Sequence, residues 1–332
     1  MSPTTVPLHL GTHAPTAGVD LSGVAAAGDT LFVAPDEGSS LLALRRDGQG
    51  WGSPEEVPLG EAVDLPGKPG EEVDAEGLDV VDGCLWVVGS HSPRRKRVKP
   101  GTNPADVPAR LARTSAEKSR RLLARLPLQD GPDGPRPAPG AGARLPSGRR
   151  GLWGALADDE HLGPFLGIPG KDNGFDVEGI AVLGKRVVLG LRGPVLRGWA
   201  VLLGLVVHVE GGVDGTELVL DGIDKVFLDL DGLGVRDLAR AGDDLLVLAG
   251  PTMVLDGPAR VLRVPGAAAA PLPPAIPREE IETVAELTVG VGCDRPEGLA
   301  VLPEGLLVLH DTPAAHRLDD ETLLGDLWPP AM

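Results

Sequence analysis

The chain has 332 residues, 42% of them hydrophobic, and a formal net charge of −17. That excludes a disordered chain and argues against a general nucleic-acid binder, and no apolar stretch reaches the ~20 residues a membrane span needs. Forty-seven glycines and 33 prolines favour a fold of many tight turns, while four phenylalanines, five tryptophans and no tyrosine leave the core to valine, leucine and alanine.

The N-terminal stretch MSPTTVPLHLGTHAPTAG has neither a basic start nor a long apolar run, so no signal peptide is predicted. Cys84 and Cys293 lie in separate segments. A disulfide stays open, and a reduced, cytoplasmic protein is the simpler expectation.

Internal similarity organises everything after residue 19. Five segments share a polar opening, a short apolar strand, a turn with glycine at or near its centre, and a second apolar strand. They are DLSGVAAAGDTLFVAPDE (20–37), DAEGLDVVDGCLWVVGSH (74–91), DVEGIAVLGKRVVLGLRG (176–193), GVRDLARAGDDLLVLAGP (234–251) and RPEGLAVLPEGLLVLHDT (295–312). Each spans eighteen residues without a gap and reads as a β-hairpin. Further strand-like runs follow: SLLALRR, RRLLARLPL, GWAVLLGLVVHVEG and ARVLRVPG. Four-stranded units repeated radially make a β-propeller. The expected class is therefore all-β, a single β-propeller domain over 1–332 with five blades; a sixth blade within 129–170 and a two-sheet sandwich are the alternatives.

The last blade is short of strands, and residues 6–15, with VPLHLG, are placed to close the ring and remove an open edge. The long interval between the second and third repeats holds a basic, Pro/Gly-rich insertion over 93–150, expected to be partly flexible. A short helix over 151–167 follows, with its apolar stripe at Leu152, Leu156, Leu162 and Leu166. Residues 93–150 carry fifteen Lys/Arg and four Asp/Glu, about +11, which leaves about −28 on the remainder. The insertion reads either as a solvated excursion lying against an acidic body or as an arm for anions or RNA.

In an antiparallel hairpin the start of the first strand lies beside the end of the second. The lead residues Ser22, Glu76, Glu178, Arg236 and Glu297 therefore reach the same face of the ring as the hairpin ends Asp36, Glu37, Ser90, His91, Arg192, Gly250, His310 and Asp311. Glutamates gathered around one axis repel unless raised pKa values, cations or a metal ion neutralise them. Glu76, Glu178, Glu297 and Asp311 form the candidate set for Ca²⁺ or Mg²⁺. Arg192, Arg197, Lys171, Arg295 and His91 are the candidate substrate-binding groups, with Arg236 a further cation, because guanidinium forks suit phosphate and carboxylate. Glu178, His310 and Asp311 are the candidate catalytic groups.

A structural reading stands beside each of these. A lead glutamate accepts backbone N–H bonds or pairs with an arginine, and a lone histidine beside a strand is usually a packing residue. DLDGLG (229–234) lacks the later ligands of an EF-hand, and the serines of GSHSP lack a nucleophile-elbow context. No P-loop, zinc cluster or dinucleotide fingerprint occurs, so no nucleotide cofactor is expected.

The stretches EGLDVVDGCLWVVGSHS, KDNGFDVEGIAV, GLRGPVLRGWAVLL, FLDLDGLGVRDL and RPEGLAVLPEGLLVLHD resemble a bacterial family known only as a domain of unknown function, the one numbered 3616. They cover most of 70–312, and GLRGPVLRGWA is the most specific. The resemblance implies a propeller and no assigned activity. The Glu-Gly-Leu-Ala repeats are also similar, generically, to phytase-like esterase propellers. That likeness would imply calcium-dependent phosphoester or ester hydrolysis, without a full set of ligand positions to support it. Neither likeness explains 93–150.

Three functions fit the residues. The first is a metal-assisted hydrolase of an anionic (phospho)ester at the channel mouth. The second is a binding module for a small anion or acidic peptide, and the third is a scaffold for a protein partner docked on the basic arm. Nucleic acid enters only through 93–150, and no membrane association is expected. Propellers host many functions, so the fold does not choose among them.

Overall fold

The computed structural model describes residues 2–212, 215–253, 255–269 and 271–330. Blade 1 runs Leu21–Ala27, Thr30–Pro35, Ser40–Asp47 and Gly50–Pro58 as an antiparallel meander. Blade 2 has Ala75–Val81, Cys84–Gly89 and Leu123–Gly131, with Gly134–Pro137 and Ala143–Arg144 sharing its outer edge. Blade 3 runs Asp176–Leu183, Arg186–Gly193, Trp199–Gly212 and Gly215–Asp229. Blade 4 runs Gly234–Ala241, Asp244–Gly250, Ala259–Val264 and Glu282–Leu287. Blade 5 runs Arg295–Leu302, Gly305–Asp311 and Thr322–Trp328, and Thr4–His9 adds the fourth strand, antiparallel to Thr322–Trp328.

The first strand of each blade packs on that of the next, and the strand of blade 5 packs back on that of blade 1, so the ring is closed. The core is divided accordingly. Five buried apolar clusters lie one at each interface between neighbouring blades, mostly valine, leucine and alanine. A blade alone would expose both faces; against two neighbours it buries both, which is why the repeat is stable only as a ring. The fold is an all-β five-bladed propeller.

The hairpins follow from their turns. In blade 2, Val81 pairs with Cys84 across Asp82-Gly83, both at positive φ, the conformation a two-residue turn needs to match strand twist.

Three segments differ from the sequence expectation. No sixth blade lies in 129–170, because those residues finish the outer half of blade 2 and then form turns. The helix expected over 151–167 is one turn, Leu152–Ala155, and a 3₁₀ turn, Gly163–Phe165. Between them the Asp159 carboxylate accepts the N–H groups of His161 and Leu162, and Pro164 has no N–H to continue a helix. The stripe is still buried, since Leu152, Leu156, Leu162 and Leu166 all join the core between blades 2 and 3. The basic segment is not one insertion either: residues 123–144 supply the outer strands of blade 2.

What stands outside the ring is the arm over 93–121. It has a short pair of strands, Arg94–Arg95 and Thr114–Ser115, and a turn of helix at Val107–Leu111. Ion pairs fasten it to the body: Arg94 to Glu72 at 3.1 Å and Arg95 to Asp172 at 2.7 Å. Both cysteines are free. No helix among the described residues is long and apolar enough to cross a membrane.

Candidate functional site

All five hairpins break register at the same place. The skipped residues are Ser22, Glu76, Glu178, Arg236 and Glu297, each a β-bulge in the innermost strand, and all five are buried. A bulge re-aims one side chain out of the strict up-down alternation. The sequence places these residues at one mouth, and the bulge is the device that turns them into it.

Directly after the bulge the ring narrows. A Cβ on Gly23 would lie 2.8 Å from the Glu76 carbonyl oxygen, one on Gly77 3.0 Å from the Glu178 carbonyl oxygen, and one on Gly179 2.8 Å from the Leu238 nitrogen. Blade 4 has Asp237 there instead, and its carboxylate accepts N–H bonds from Leu238 and, across to blade 5, from Leu299 at 2.7 Å. This neck separates the polar mouth from a cavity of about 450 Å³ at the far end of the channel, lined by Asp79, Asp82, Arg240 and apolar residues.

Over blades 3 to 5 the mouth is a chain of buried ion pairs. Arg192, at the end of the second strand of blade 3, pairs with Asp176 and, at 2.5 Å, with Glu178. Glu178 also meets Arg236 Nε at 3.1 Å, and Arg236 continues to Glu297. Burial pushes the Glu178 carboxyl up, while Arg192 and Arg236 oppose the shift. Over blades 1 and 2 the charges are one-sided. Asp36, Asp74 and Glu76 bring carboxylate oxygens within 4.8 Å of one another, the one group of that kind among the described residues.

Asp74 pairs with Arg120 from the foot of the basic arm. Glu76, 8% exposed, has no hydrogen bond or ion pair among the described residues. Burial raises its pKa well above the carboxylate range, and Asp74, Glu178 and Asp36 add to that. Burial likewise pushes Asp74 up to about 7 against the pull of Arg120. At the rim, Asp20 is raised to about 6, first by burial and then by Asp311, with which it shares a hydrogen bond.

A small cleft of about 60 Å³, open to solvent, lies beside this mouth over blades 3 to 5. Its cations are Lys171, Arg192, Arg236 and Arg295, and Glu297 and Asp311 also face it. Lys171 stands exposed on the turn Gly170–Asp172, and Arg295 is 4.0 Å from Asp256.

The proposed residues thus separate. Glu178, Glu297, Arg192 and Arg236 form one network, with Lys171, Arg295 and Asp311 at its edge. Glu76 groups with Asp36 and Asp74, not with Glu178 and Glu297, because two guanidiniums hold the latter pair. Arg197 lies away from the cleft, exposed at positive φ in the turn joining Leu196 to Trp199. His310 points into blade 5, its Nε2 3.0 Å from an Asp326 oxygen. Its neighbour Asp311 takes the cleft side, as strand alternation requires. His91 is buried with Nε2 3.1 Å from the Leu122 carbonyl oxygen, and burial lowers its pKa to about 4, so it is neutral.

Sequence reasoning passed over Asp20, Asp74 and Asp176. The signal was present as a repeat: each stands two residues before the lead residue, in D-x-S-G or D-x-E-G.

The profile of a family described as "Protein of unknown function (DUF3616)" matches residues 20–326. No curated protein matches the sequence. Among solved structures the chain is similar to Myxococcus xanthus glutaminyl cyclase, at 12% identity over 99% of this chain and 97% of that one, TM-score 0.42. It is similar to the PQQ-bound aldose sugar dehydrogenase of Streptomyces coelicolor, at 14% identity over 99% and 100%, TM-score 0.39. It is also similar to the Cps50 (Swd1) β-propeller domain of Myceliophteria thermophila, at 9% identity over 93% and 84%, TM-score 0.33. None of these likenesses bears on chemistry. The family match runs through all five hairpins, from the opening of blade 1 to Asp326 in blade 5, and the chain belongs to DUF3616, a family of proteins of unknown function.

Proposed function

We propose that the mouth holds a divalent cation on Asp36, Asp74 and Glu76 and works as a metal-assisted hydrolase of an anionic ester, a phosphoester first. Charge balance carries this reading. Asp20, Asp36, Asp74, Glu76, Asp176, Glu178, Glu297 and Asp311 face Arg120, Lys171, Arg192, Arg236 and Arg295, eight carboxylates against five cations. Buried like charges are costly unless protonated or neutralised, and oxygen-only ligands suit Ca²⁺ or Mg²⁺. Glu76, with no hydrogen bond or ion pair among the described residues, is the ligand the cation would satisfy.

Bound there, the cation would acidify a water and polarise an ester oxygen. Arg192 and Arg236 are already matched by Asp176, Glu178 and Glu297, and so form a rigid electropositive floor. Lys171 and Arg295 keep capacity for an anion. Asp20, its pKa raised to about 6 by burial and by Asp311 beside it, replaces His310 as the candidate acid–base group. Glu178 holds the arginines in place. An anion adds to a mouth already rich in carboxylates, so the reading requires the cation to bind first.

Titration calorimetry with Mg²⁺, Ca²⁺ and Mn²⁺ tests the site, together with turnover of 4-nitrophenyl phosphate, bis(4-nitrophenyl) phosphate and a lactone. Cation binding lost in Glu76→Gln, with cation-dependent turnover, is expected. Cation binding without turnover of any ester leaves a binding module, and no cation binding at all sinks the reading. The scaffold alternative draws on one observation: the arm, fixed beside the mouth, leaves Lys96, Arg97, Lys99 and Arg113 exposed for an acidic partner.

A further inference from the structure

We infer that the ligand of this mouth is an amphiphile, an anionic head carrying an alkyl or acyl chain. The inference rests on the proposed anion site and names its ligand class. Its ground is the apolar part of the same cleft's lining. The loop joining Gly250 to Ala259 in blade 4 brings Met253 and Leu255 into the cleft lining, and Val289 adds to it from the approach to blade 5. Met253 is 44% exposed and Leu255 59%, and Val291, two residues past Val289, is 94% exposed.

A single exposed leucine means nothing, but an apolar patch rimmed by charges marks a contact surface. The patch is also built. The Asp256 carboxylate accepts the Gly292 N–H at 3.1 Å, tying the loop of Met253 and Leu255 to that of Val291. Arg295 comes to 4.0 Å of the same carboxylate, so the cationic floor and the apolar wall meet at one residue.

A head of phosphate or carboxylate satisfies Lys171 and Arg295 in fork or point-charge fashion. A bare inorganic anion would leave Met253 and Leu255 in water. A chain of a few carbons would cover them, and each methylene so buried raises affinity about fourfold, ~0.8 kcal/mol. Two or three methylenes against this wall give a tenfold gain or more.

The test uses the full chain with Mg²⁺ present and calorimetric titration of methyl phosphate, hexyl phosphate, acetate, hexanoate and hexanol. Hexyl phosphate or hexanoate is expected to bind at least tenfold tighter than its short partner, and the better of the two identifies the head. Met253→Ser/Leu255→Ser, altering only exposed loop positions, is expected to erase that gain while methyl phosphate or acetate binding stays within twofold. Equal affinity for short and long chains overturns the inference and leaves the anion site standing. So does a gain that survives the double substitution. Hexanol binding as tightly as the anions overturns the head, and binding only to phosphatidic acid vesicles, never to the monomeric ligands, overturns the cleft as the site. Failure of every anion removes the anion site and this inference together.

Discussion

Replacing Glu76 by glutamine should stabilise the protein when no divalent cation is present. Glu76 is 8% exposed, meets no hydrogen-bond donor among the described residues, and faces Asp74, Glu178 and Asp36. Glutamine keeps the shape and removes the charge. Relief of a buried charge without a hydrogen-bond partner is worth about 1–3 kcal/mol, less the attraction Glu76 lends Arg192 and Arg236, each of which keeps a closer carboxylate. The sign with pH follows from the raised pKa. The cost of ionising Glu76 is present in full above its folded-state pKa and disappears below the unfolded value near 4.5. The variant's advantage should therefore vanish near about pH 4 and grow as pH rises from there, so that it is larger at about pH 8. Cations reverse the order: at one hundred times the dissociation constant, Ca²⁺ adds about 2.7 kcal/mol to the parent, and little to the variant. Urea unfolding at both pH values, with Ca²⁺ and with EDTA, reads all four quantities. A variant less stable than its parent by more than about 1 kcal/mol at the higher pH without cations would refute the reasoning. Glu76 would then have a protein partner, and the mouth would need no cation.

Arg236→Ala leaves Glu297 buried without its guanidinium and Glu178 with one of two, so about 3–5 kcal/mol should be lost in urea unfolding. Arg197→Ala, at an exposed turn, should stay within about 0.5 kcal/mol and leave anion binding unchanged. Leu8→Ala should cost about 2–5 kcal/mol, because Leu8 is fully buried on the strand that completes blade 5. Burial works against ionised Asp326, yet hydrogen bonds from His310 and Arg317 hold its pKa at about 2. Its contribution is present above about pH 4 and lost as pH falls through 2, about 2 kcal/mol that Asp326→Asn should lack across that window in acid unfolding curves.

The ring was legible because it is periodic: an eighteen-residue outline, a two-residue turn and a glycine after the lead residue recur with the blades. The lead residues were legible for the same reason. What a period cannot carry is the direction of a particular side chain. His310 and Asp311 are adjacent, and only alternation along the strand, fixed by pairing with Pro296 and Arg295, decides which one meets the cleft. Arg197 read as a partner of Arg192 by spacing alone, but the turn through Gly198 carries it outward. The grouping of carboxylates was hidden too. It depends on Arg192 and Arg236 reaching sideways between blades, a contact between residues 58 positions apart for Glu178 and Arg236. The helix expected over 151–167 failed locally: its leucines had helical spacing, but Asp159 and Pro164 provided competing hydrogen-bond and backbone geometry.

The bulge and the glycine neck together explain why charge accumulates where it does. A bulge sits at each lead residue, and the aspartate two positions earlier reaches the same groups, Asp74 beside Glu76 and Asp176 on the Arg192 that also pairs with Glu178, so each D-x-E-G doubles the acid carried by its blade. The glycine that follows lets neighbouring strands close to backbone contact, which shuts the channel beneath the acids and shields them from water below. Shielding strengthens every interaction among them, attractive or repulsive. Over blades 3 to 5 the arginines turn that strength into a matched network. Over blades 1 and 2, where the lead residue of blade 1 is Ser22, Arg120 pairs with Asp74, and Arg192 and Arg236 attract Glu76 without an ion pair to it, the acids are less fully matched. The proposed order, a cation first and an anion second, rests on that asymmetry: a carboxylate-rich half would become compatible with an anion once its acids were neutralised.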